Sequence, residues 1–574
     1  MAVKKLYGIA AAMFLLIMVA SYHNVTSYHS DHNVGSSRQK TPQGDYGGGE
    51  VYDNDSDYSS GSVYPNGGAG TGGVGAVEKP KTDTTETIGQ IPNTSGKYDT
   101  LIVIPSSWTQ MQNRQWVRQT VFGIKNNLEP CKKNDGRIIY KFYIHGHSTW
   151  EAFGIHTAEF MQAQVRDLHG EFMEYNDHVF TNVTVTDRHA VWDDALEWAV
   201  KTFIPQEKIV VDKILIFDST TVTNLPKMEA SAKLSVNAYG FIHTWGETSA
   251  FAGMASFDVA QQIVEKRALI KENHRLLDIF SATALYFANP PPKFKIQKSQ
   301  GQLWASDPDQ VLTTSEVVAQ VYQLEDWTAI VEKLAIAPTP VCAPDLNRKT
   351  NIALLTSSYI YVDMCMAEAS LPSAENKRDY ATKHGYDFVA RAAEFAQEEH
   401  RGRRLVWGKI GAIQKVLPHY EWLFWMDMDA VIADMDKDLR DIIRMAEERS
   451  ENEKKEISLI VARPVKDKML NAGVMLIKNT DWSRRFLNEV QTKVDWYRKS
   501  SYEQAAIWEV MSDPKWASGV YLYNKDDHTM NTFPKMYKVG DFIIHFAPAG
   551  CPSVPVLEAL RLIKDGKSAL GVGI

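Results

Sequence analysis

Trp422-Leu423-Phe424-Trp425-Met426-Asp427-Met428-Asp429-Ala430-Val431-Ile432 is the stretch on which the reading of this chain turns. It opens on an apolar, aromatic-rich run, the make-up of a buried strand. Asp427 and Asp429 then arrive at the carboxyl end of that strand. Spaced by two on an extended chain, they point to one face. Ligands of open α/β sheets collect in the crevice beyond the carboxyl ends of the strands. A pair of hard oxygen ligands there suits Mg²⁺ or Mn²⁺, which completes its shell with water and substrate phosphate. The stretch therefore points to a metal–diphosphate enzyme. The same residues also read as a strand entering an acidic turn, because Asp is a common turn and cap residue. An Asp-x-Asp alone does not separate these readings, and the rest of the chain has to.

With 574 residues, 44% of them hydrophobic, the chain can build more than one core. A formal net charge of -8 without a dominant basic stripe argues against nucleic acid as a partner. Lys4 and Lys5 precede an uncharged run from Leu6 to Tyr22, short for a span but within reach of a thin bilayer. A cleavable signal peptide competes with a signal anchor here. Cleavage after Ala20 would leave bulky Met18 where a small residue is preferred, which favours an uncleaved anchor over 1–22. The lysines then stay cytoplasmic and the remainder is luminal, as a single-pass type II membrane protein. Residues 23–97 are rich in Gly, Ser, Asp and Tyr and read as a disordered stem. Sequons at Asn24, Asn54, Asn93 and Asn182 fit luminal exposure. The four cysteines, Cys131, Cys342, Cys365 and Cys551, form no CxxC, so zinc is unsupported and any disulfide pairing stays open.

Residues 98–289 alternate strand and helix patterns. Strands are expected at Thr100–Pro105, Ile138–Ile144 and Lys213–Asp218, with helices beginning near Arg114 and over Phe160–Glu174, an α/β layout with a mostly parallel sheet. Arg114-Gln115-Trp116-Val117-Arg118-Gln119-Thr120, Tyr175–Thr184 and Phe251–Ala260 resemble segments of the β-1,3-galactosyltransferases (family 31). That family carries an Asp-rich metal motif where this chain has Phe217-Asp218-Ser219-Thr220. One carboxylate remains, and hydroxyls do not supply the charge that holds a divalent ion beside a diphosphate. The resemblance implies a degenerate, non-catalytic copy. A metal-independent second transferase is the competing idea. Residues 290–349, beginning with Pro290-Pro291-Pro292, read as a partly structured connector.

In residues 350–574, Thr350–Ser358 reads as a buried strand running into hydroxyls. Thr356, Ser357 and Ser358 suit a nucleotide or simply a turn. A helix stopped by Gly385, another from Trp407 to near Pro418, and a strand over Ile457–Ala462 come next. Asp481-Trp482-Ser483 reads as a helix cap. The motifs Asn376-Lys377 to Tyr380, His384-Gly385-Tyr386, Trp407 with Lys409, Trp422–Ala430, Asn471 with Gly473, Trp482-Ser483, Glu503-Gln504, Met530-Asn531 and Gly540–Phe546 stand in order. Together they resemble glycosyltransferase family 34, which holds α-galactosyltransferases, α-1,6-mannosyltransferase subunits and xyloglucan xylosyltransferases. The resemblance implies two GT-A-like, Rossmann-like domains in all, a nucleotide-sugar donor (UDP-galactose, GDP-mannose or UDP-xylose), Mn²⁺ or Mg²⁺, and retention of configuration. The carboxyl motif departs from the family, with Pro548-Ala549 lengthening the run from His545 to Cys551.

The resemblance implies Asp427, Asp429 and His545 as metal ligands. Glu503 and Gln504 become the catalytic pair that positions sugar and acceptor, with Glu503 the available carboxylate. Thr356, Ser357, Ser358, Lys377, Lys409, Asp427, Met428, Asp429, Asn471 and Gly473 become the donor-binding set. Asn471 and Gly473 are expected to let the chain approach the sugar closely. Lys377 and Lys409 read either as phosphate contacts or as exposed helix charges. The expected function is transfer of a hexose, galactose or mannose, to a glycan in the Golgi, alone or in a homo- or hetero-oligomer with other glycosyltransferases. A non-catalytic subunit or glycan-binding partner is the alternative.

Overall fold

A computed structural model describes residues 96–124, 127–128, 137–147, 158–185, 188–232, 238–243, 250–287, 295–300, 317–320, 324–333, 335–341, 351–451, 456–463, 469–524, 527–547 and 550–573. The expected anchor, nearly all of the stem, the sequons at Asn24, Asn54 and Asn93, Cys131, Cys342 and Pro290–Pro292 lie outside the described residues. Among the described residues no helix is long and apolar enough to cross a membrane.

The chain is mixed α/β, with two mostly parallel sheets inside one compact unit, Gln90–Ile574. In the first sheet, β1 (Lys97–Ser107) is flanked in parallel by β2 (Ile138–His147) and β4 (Val210–Phe217), and β3 (His178–Val185) lies outside β2. Helix α1 (Met111–Thr120) comes after β1, and α2 (Ala158–Tyr175) joins β2 to β3. β5 (Thr221–Thr223) stands apart, and β6 (Ala238–His243), β7 (Ala250–Ser256) and β8 (Lys295–Gln300) complete the order β3-β2-β1-β4-β7-β6-β8. The stretch expected as a connector thus supplies β8 to this sheet. It also supplies β9 (Val317–Gln320) as partner to β5, and α3 (Leu324–Lys333), whose Trp327 packs against Trp116 at 5.4 Å. Alternation along β1 explains the two cores on either side. Ile102 and Ile104 face one apolar cluster, Leu101 and Val103 the other.

The second sheet runs β11-β10-β12-β15-β14-β16. It comprises β10 (Ile352–Ser357), β11 (Asp387–Arg391), β12 (Trp422–Met426), β14 (Leu459–Ala462), β15 (Asn471–Lys478) and β16 (Val520–Tyr523). The apolar run before Asp427 is its centre. β12 is fully buried, parallel to β10 and antiparallel to β15. Leu423 and Trp425 face the core containing Trp407 and Ile410, whereas Trp422, Phe424 and Met426 face that of Tyr380 and Phe542. Continuous hydrophobicity, rather than alternation, is what burial on both faces requires. Helix α4 (Ala367–His384) ends on Gly385 at φ 74°, the left-handed position that glycine takes without strain. Helix α5 (Gly408–Val416) comes after Trp407, and α6 (Asp481–Gln491) begins after Thr480, whose hydroxyl accepts from Ser483 N–H. The cap is therefore Thr480, one residue before the expected Asp481. Helix α7 (Tyr502–Met511) precedes β16, and α8 (Ser553–Lys564) comes after the last strand. Two three-residue strands, β13 (Ala430–Ile432) and β17 (Ile543–His545), pair outside the main sheet. A disulfide joins Cys365 to Cys551, 186 residues apart.

Candidate active site

β12 delivers Asp427 to the end of the sheet, where its N–H donates to Gly473 O (2.8 Å) across the β12–β15 ladder. Ala430 N–H donates to Asp427 O (3.2 Å) and closes a tight turn that presents Asp429. β13 then pairs with β17 so that Ala430 stands opposite His545, and Phe546 N–H donates to Asp429 O (3.2 Å). Two short strands thereby bring an imidazole to two carboxylates from 116 residues away. One ligand atom from each of Asp427, Asp429 and His545 lies within 4.8 Å of the others. His545 Nε2 is 3.2 Å from Asp429 Oδ1 and 4.0 Å from Asp427 Oδ2.

The other imidazole nitrogen fixes which one is available. Asn471 Oδ1 accepts from Gly473 N–H, from Asn531 Nδ2 and from His545 Nδ1, each at 3.0 Å. The Gly473 N–H can only donate, so Asn471 presents oxygen here, and His545 Nδ1 carries a proton. Nε2 is left facing the carboxylates, the arrangement by which a second partner orients a metal-binding histidine. A Cβ on Gly473 would stand 2.1 Å from His545 Cε1, so the glycine makes room for the imidazole, in the place expected to admit a sugar. Two carboxylates and one imidazole suit Mn²⁺ or Mg²⁺ chemically, and the residues fit such an ion.

Charge around the group is balanced by buried lysines. Lys409 Nζ lies 3.0 Å from Asp427 Oδ1 and 2.8 Å from Glu503 Oε1, and donates to Ala472 O (3.1 Å). Burial opposes its charge, yet Asp427 and Glu503 outweigh that and raise its pKa. Lys377 is fully buried in α4, where Nζ donates to Ser373 Oγ (2.6 Å) and Ala430 O (2.7 Å) and approaches Met428 O (3.4 Å). It holds the Asp427–Ala430 turn by its carbonyls, and burial pulls its pKa down to about 7, with Asp429 and Asp427 opposing. Neither lysine is an exposed helix charge, because each fills a polar pocket that only the folded chain creates. Burial would raise the Asp429 carboxyl, but His545 and Lys377 hold it below its ordinary range. For His545, burial favours the neutral form and Asp429 and Asp427 prevail, raising its pKa. Burial raises the Glu503 carboxyl, against Lys409.

The donor-set hydroxyls are placed differently from one another. Thr356 Oγ1 donates to Met426 O (2.7 Å), Ser357 Oγ accepts from Tyr359 N–H (3.1 Å), and Ser358 Oγ donates to Glu174 of the first block (2.8 Å). Thr356 and Ser358 are buried and committed to the protein, not to a ligand-facing turn. Met428 O accepts from Ser373 Oγ. Gln504 Oε1 accepts from Ala472 N–H (2.9 Å), which seats α7 against the start of β15. Just before Glu503, Ser501 (φ 69°) and Tyr502 (φ 35°) both adopt the left-handed region, a strain that side-chain-bearing residues hold only when their surroundings impose it. Sequence reading assigned no role to Asn531 or to Trp425 Nε1, which donates to Asp427 Oδ1 (2.7 Å). The Met530-Asn531 motif was the available signal for the first, and nothing marked the second.

In the first block, Asp218 Oδ1 accepts from Trp192 Nε1 (2.6 Å), and Ser219 Oγ lies 3.0 Å from both Ser106 Oγ and Gln110 Oε1. The Arg114 and Arg118 guanidiniums are buried against Glu171 and Asp177. The arginine-rich helix start is thus part of an interior ion network. Among the described residues, the group able to hold a metal is Asp427, Asp429 and His545.

The Saccharomyces cerevisiae protein named "Probable alpha-1,6-mannosyltransferase MNN10" is 27% identical to this chain over 24% of it and 39% of that relative. The α-1,2-galactosyltransferase of Schizosaccharomyces pombe is 23% identical over 31% of this chain and 55% of its own length. The chain therefore spans less than two thirds of these curated relatives. A glycosyltransferase involved in glycosylation of the major capsid of PBCV-1 superposes on 37% of the chain and 99% of its own, at 18% identity and a TM-score of 0.28, a likeness too slight to bear on function. Residues 349–554 match the model of the galactosyl transferase GMA12/MNN10 family, and Asp427, Asp429 and His545 all lie within the matched stretch.

Proposed function

We propose that the second block is a metal-dependent, retaining glycosyltransferase that moves galactose or mannose from a nucleotide sugar to a glycan. The observation that carries this reading is the convergence of Asp427, Asp429 and His545 at the end of β12, with Asn471 turning the Nε2 of His545 toward the carboxylates. A divalent ion bound there would offset the negative charge that develops on a departing diphosphate. The protein's own part is positional. Lys409 neutralises Asp427 and Glu503, and Lys377 fixes the turn between the two aspartates. Gln504 Oε1 is spent on the backbone, so its amide nitrogen is the group left to meet a sugar hydroxyl. Glu503 is paired with Lys409 at 2.8 Å, which favours a role in orienting sugar and acceptor during front-face attack over one as nucleophile.

The first block, on this reading, is a degenerate, non-catalytic copy of a β-1,3-galactosyltransferase domain. The Leu6–Tyr22 run and the sequons support a Golgi type II protein. Resistance to carbonate extraction, with glycosylated sequons, is the expected result, and a secreted product beginning near Ser21 would refute the anchor. For the reaction, the test is a Mn²⁺-supplemented screen of UDP-galactose, UDP-xylose, UDP-glucose and GDP-mannose, scoring donor hydrolysis, transfer and product linkage. Turnover of one donor with retained configuration is expected. No turnover with any donor would leave the glycan-binding subunit as the reading.

A further inference from the structure

We infer that Glu174, on α2 of the first block, is a positioning residue for the second block's donor site. This inference rests on the transferase reading above. One carboxyl oxygen of Glu174 accepts from Ser358 Oγ (2.8 Å) and from Ala392 N–H (2.9 Å). Ser358 comes immediately after β10, and Ala392 immediately after β11. A single atom of the first block therefore ties together the exits of two neighbouring strands, at the end of the sheet where ligands of such folds collect. Ser358 N–H donates to Arg391 O (2.9 Å) and completes the tie.

The seam around this contact is built rather than incidental. Met173 packs with Ile360, Ala367, Ala374 and Ala390, and its carbonyl accepts from Arg378 Nη2 (2.8 Å). A Cβ on Gly170 would lie 3.2 Å from Ser358 O, so the helix passes close to the loop backbone. The loop then leads to the metal group. Tyr359 stacks on Phe395 (6.3 Å, 14°), and Phe395 stacks on Trp425 (6.3 Å, 22°), whose indole holds Asp427. Tyr361 packs edge-on against Tyr359 (5.9 Å, 79°). Burial, with Asp427, Glu503 and Asp429 close by, keeps its hydroxyl protonated. Pinning Ser358 thus sets where two tyrosines stand relative to both aspartates. The first block, without a metal site of its own among the described residues, supplies one wall of its neighbour's pocket.

The test compares Glu174→Ala, Glu174→Gln and Ser358→Ala in the whole chain. Gln keeps an oxygen that can accept both hydrogen bonds, and Ala keeps neither. Glu174→Ala is expected to raise the donor KM, and the Kd for UDP with Mn²⁺ by calorimetry, about tenfold, the scale of two lost hydrogen bonds, with kcat nearly unchanged. Ser358→Ala should show a smaller shift in the same direction, and Glu174→Gln should restore wild-type values. A purely structural role would lower Tm without this split of KM from kcat and without rescue. A wild-type donor KM in Glu174→Ala, or a Gln variant as impaired as Ala, overturns the inference. Should wild type neither bind UDP nor turn over, the transferase reading fails, and amide exchange at Ser358 and Ala392 decides the positioning. Faster exchange in Glu174→Ala is expected, and unchanged exchange overturns it.

Discussion

Replacing Gly473 by alanine isolates the part His545 plays. The added Cβ would stand 2.1 Å from His545 Cε1, 2.8 Å from Nε2 and 2.9 Å from Nδ1. Carbon atoms rest at about 3.5–4.0 Å, so the ring must retreat by about 1.4 Å or β15 must bend. The ring is tied through Nδ1 to Asn471 (3.0 Å), and its backbone lies in the β13–β17 ladder, so retreat breaks the bond that orients it. Metal–ligand distances tolerate only about 0.2 Å, and the loss of an orienting partner typically costs about 10–100-fold in metal affinity. The expected result is a Mn²⁺ Kd raised by about that factor, and a stability loss of about 1–3 kcal/mol from overpacking. Gly473 has no positive φ, so the backbone itself accepts alanine. Without the clash the substitution would stabilise by about 0.4–1 kcal/mol. Calorimetric titration with Mn²⁺ and thermal unfolding distinguish the cases. A variant with unchanged Mn²⁺ affinity and a higher Tm would refute the geometry.

Asp429→Asn keeps the shape of the turn but removes a charge, and transfer should fall at least ~100-fold, the scale of losing one transition-state stabiliser. Full turnover with Mn²⁺ would contradict the assignment. Asp218→Ala removes the hydrogen bond from the Trp192 indole and should lower stability by about 1 kcal/mol or more while leaving the transfer rate nearly unchanged, whereas Asp427→Ala should abolish transfer. Loss of a distinct β-linked transfer in Asp218→Ala would mean a two-headed enzyme. Burial lifts the Glu174 carboxyl from its ordinary 4.5 to about 7, with Arg391 and the Ser358 and Ala392 hydrogen bonds opposing and Glu394 assisting. The folded chain therefore holds this proton where the unfolded chain releases it. That contribution is fully present below about pH 4.5 and is lost as pH rises through about 7. The Tm of wild type should accordingly fall over this window relative to Glu174→Gln, and a pH-independent difference would count against it.

The central strand was legible because its signal is local: five consecutive apolar residues can be accommodated only with both faces covered. The meeting of Asp427, Asp429 and His545 was legible only through the ordered motifs, since nothing in the spacing of Asp429 and His545 announces a contact. What escaped reading depends on partners far away in sequence. Ser358 looks like a ligand-facing hydroxyl until α2 arrives from 184 residues earlier. Lys409 reads equally as a phosphate contact or a surface charge until Asp427 and Glu503 enclose it. Residues 290–349 read as a connector because short, weakly periodic segments such as β8, β9 and α3 reveal their role only when an open sheet edge and an open face of the core accept them. Four cysteines permit several pairings, and only the fold shows that Cys365 and Cys551 meet.

The pairing of β13 with β17 also imposes an order in time. A ribosome delivers Asp427 and Asp429 long before His545, which emerges 116 residues after Asp429. Until then the acidic turn has Lys409 and Lys377 for company but no imidazole, and β13 has an open edge. The cluster of two aspartates and a histidine can be completed only after every strand of the second sheet has been made, when β17 returns to the middle of the block. A product truncated anywhere between Ile432 and Ile543 would retain the central strand and both aspartates and still lack His545. Closure of the Asp427, Asp429 and His545 cluster thus requires that the second block has been translated through its last strand and has folded back upon itself.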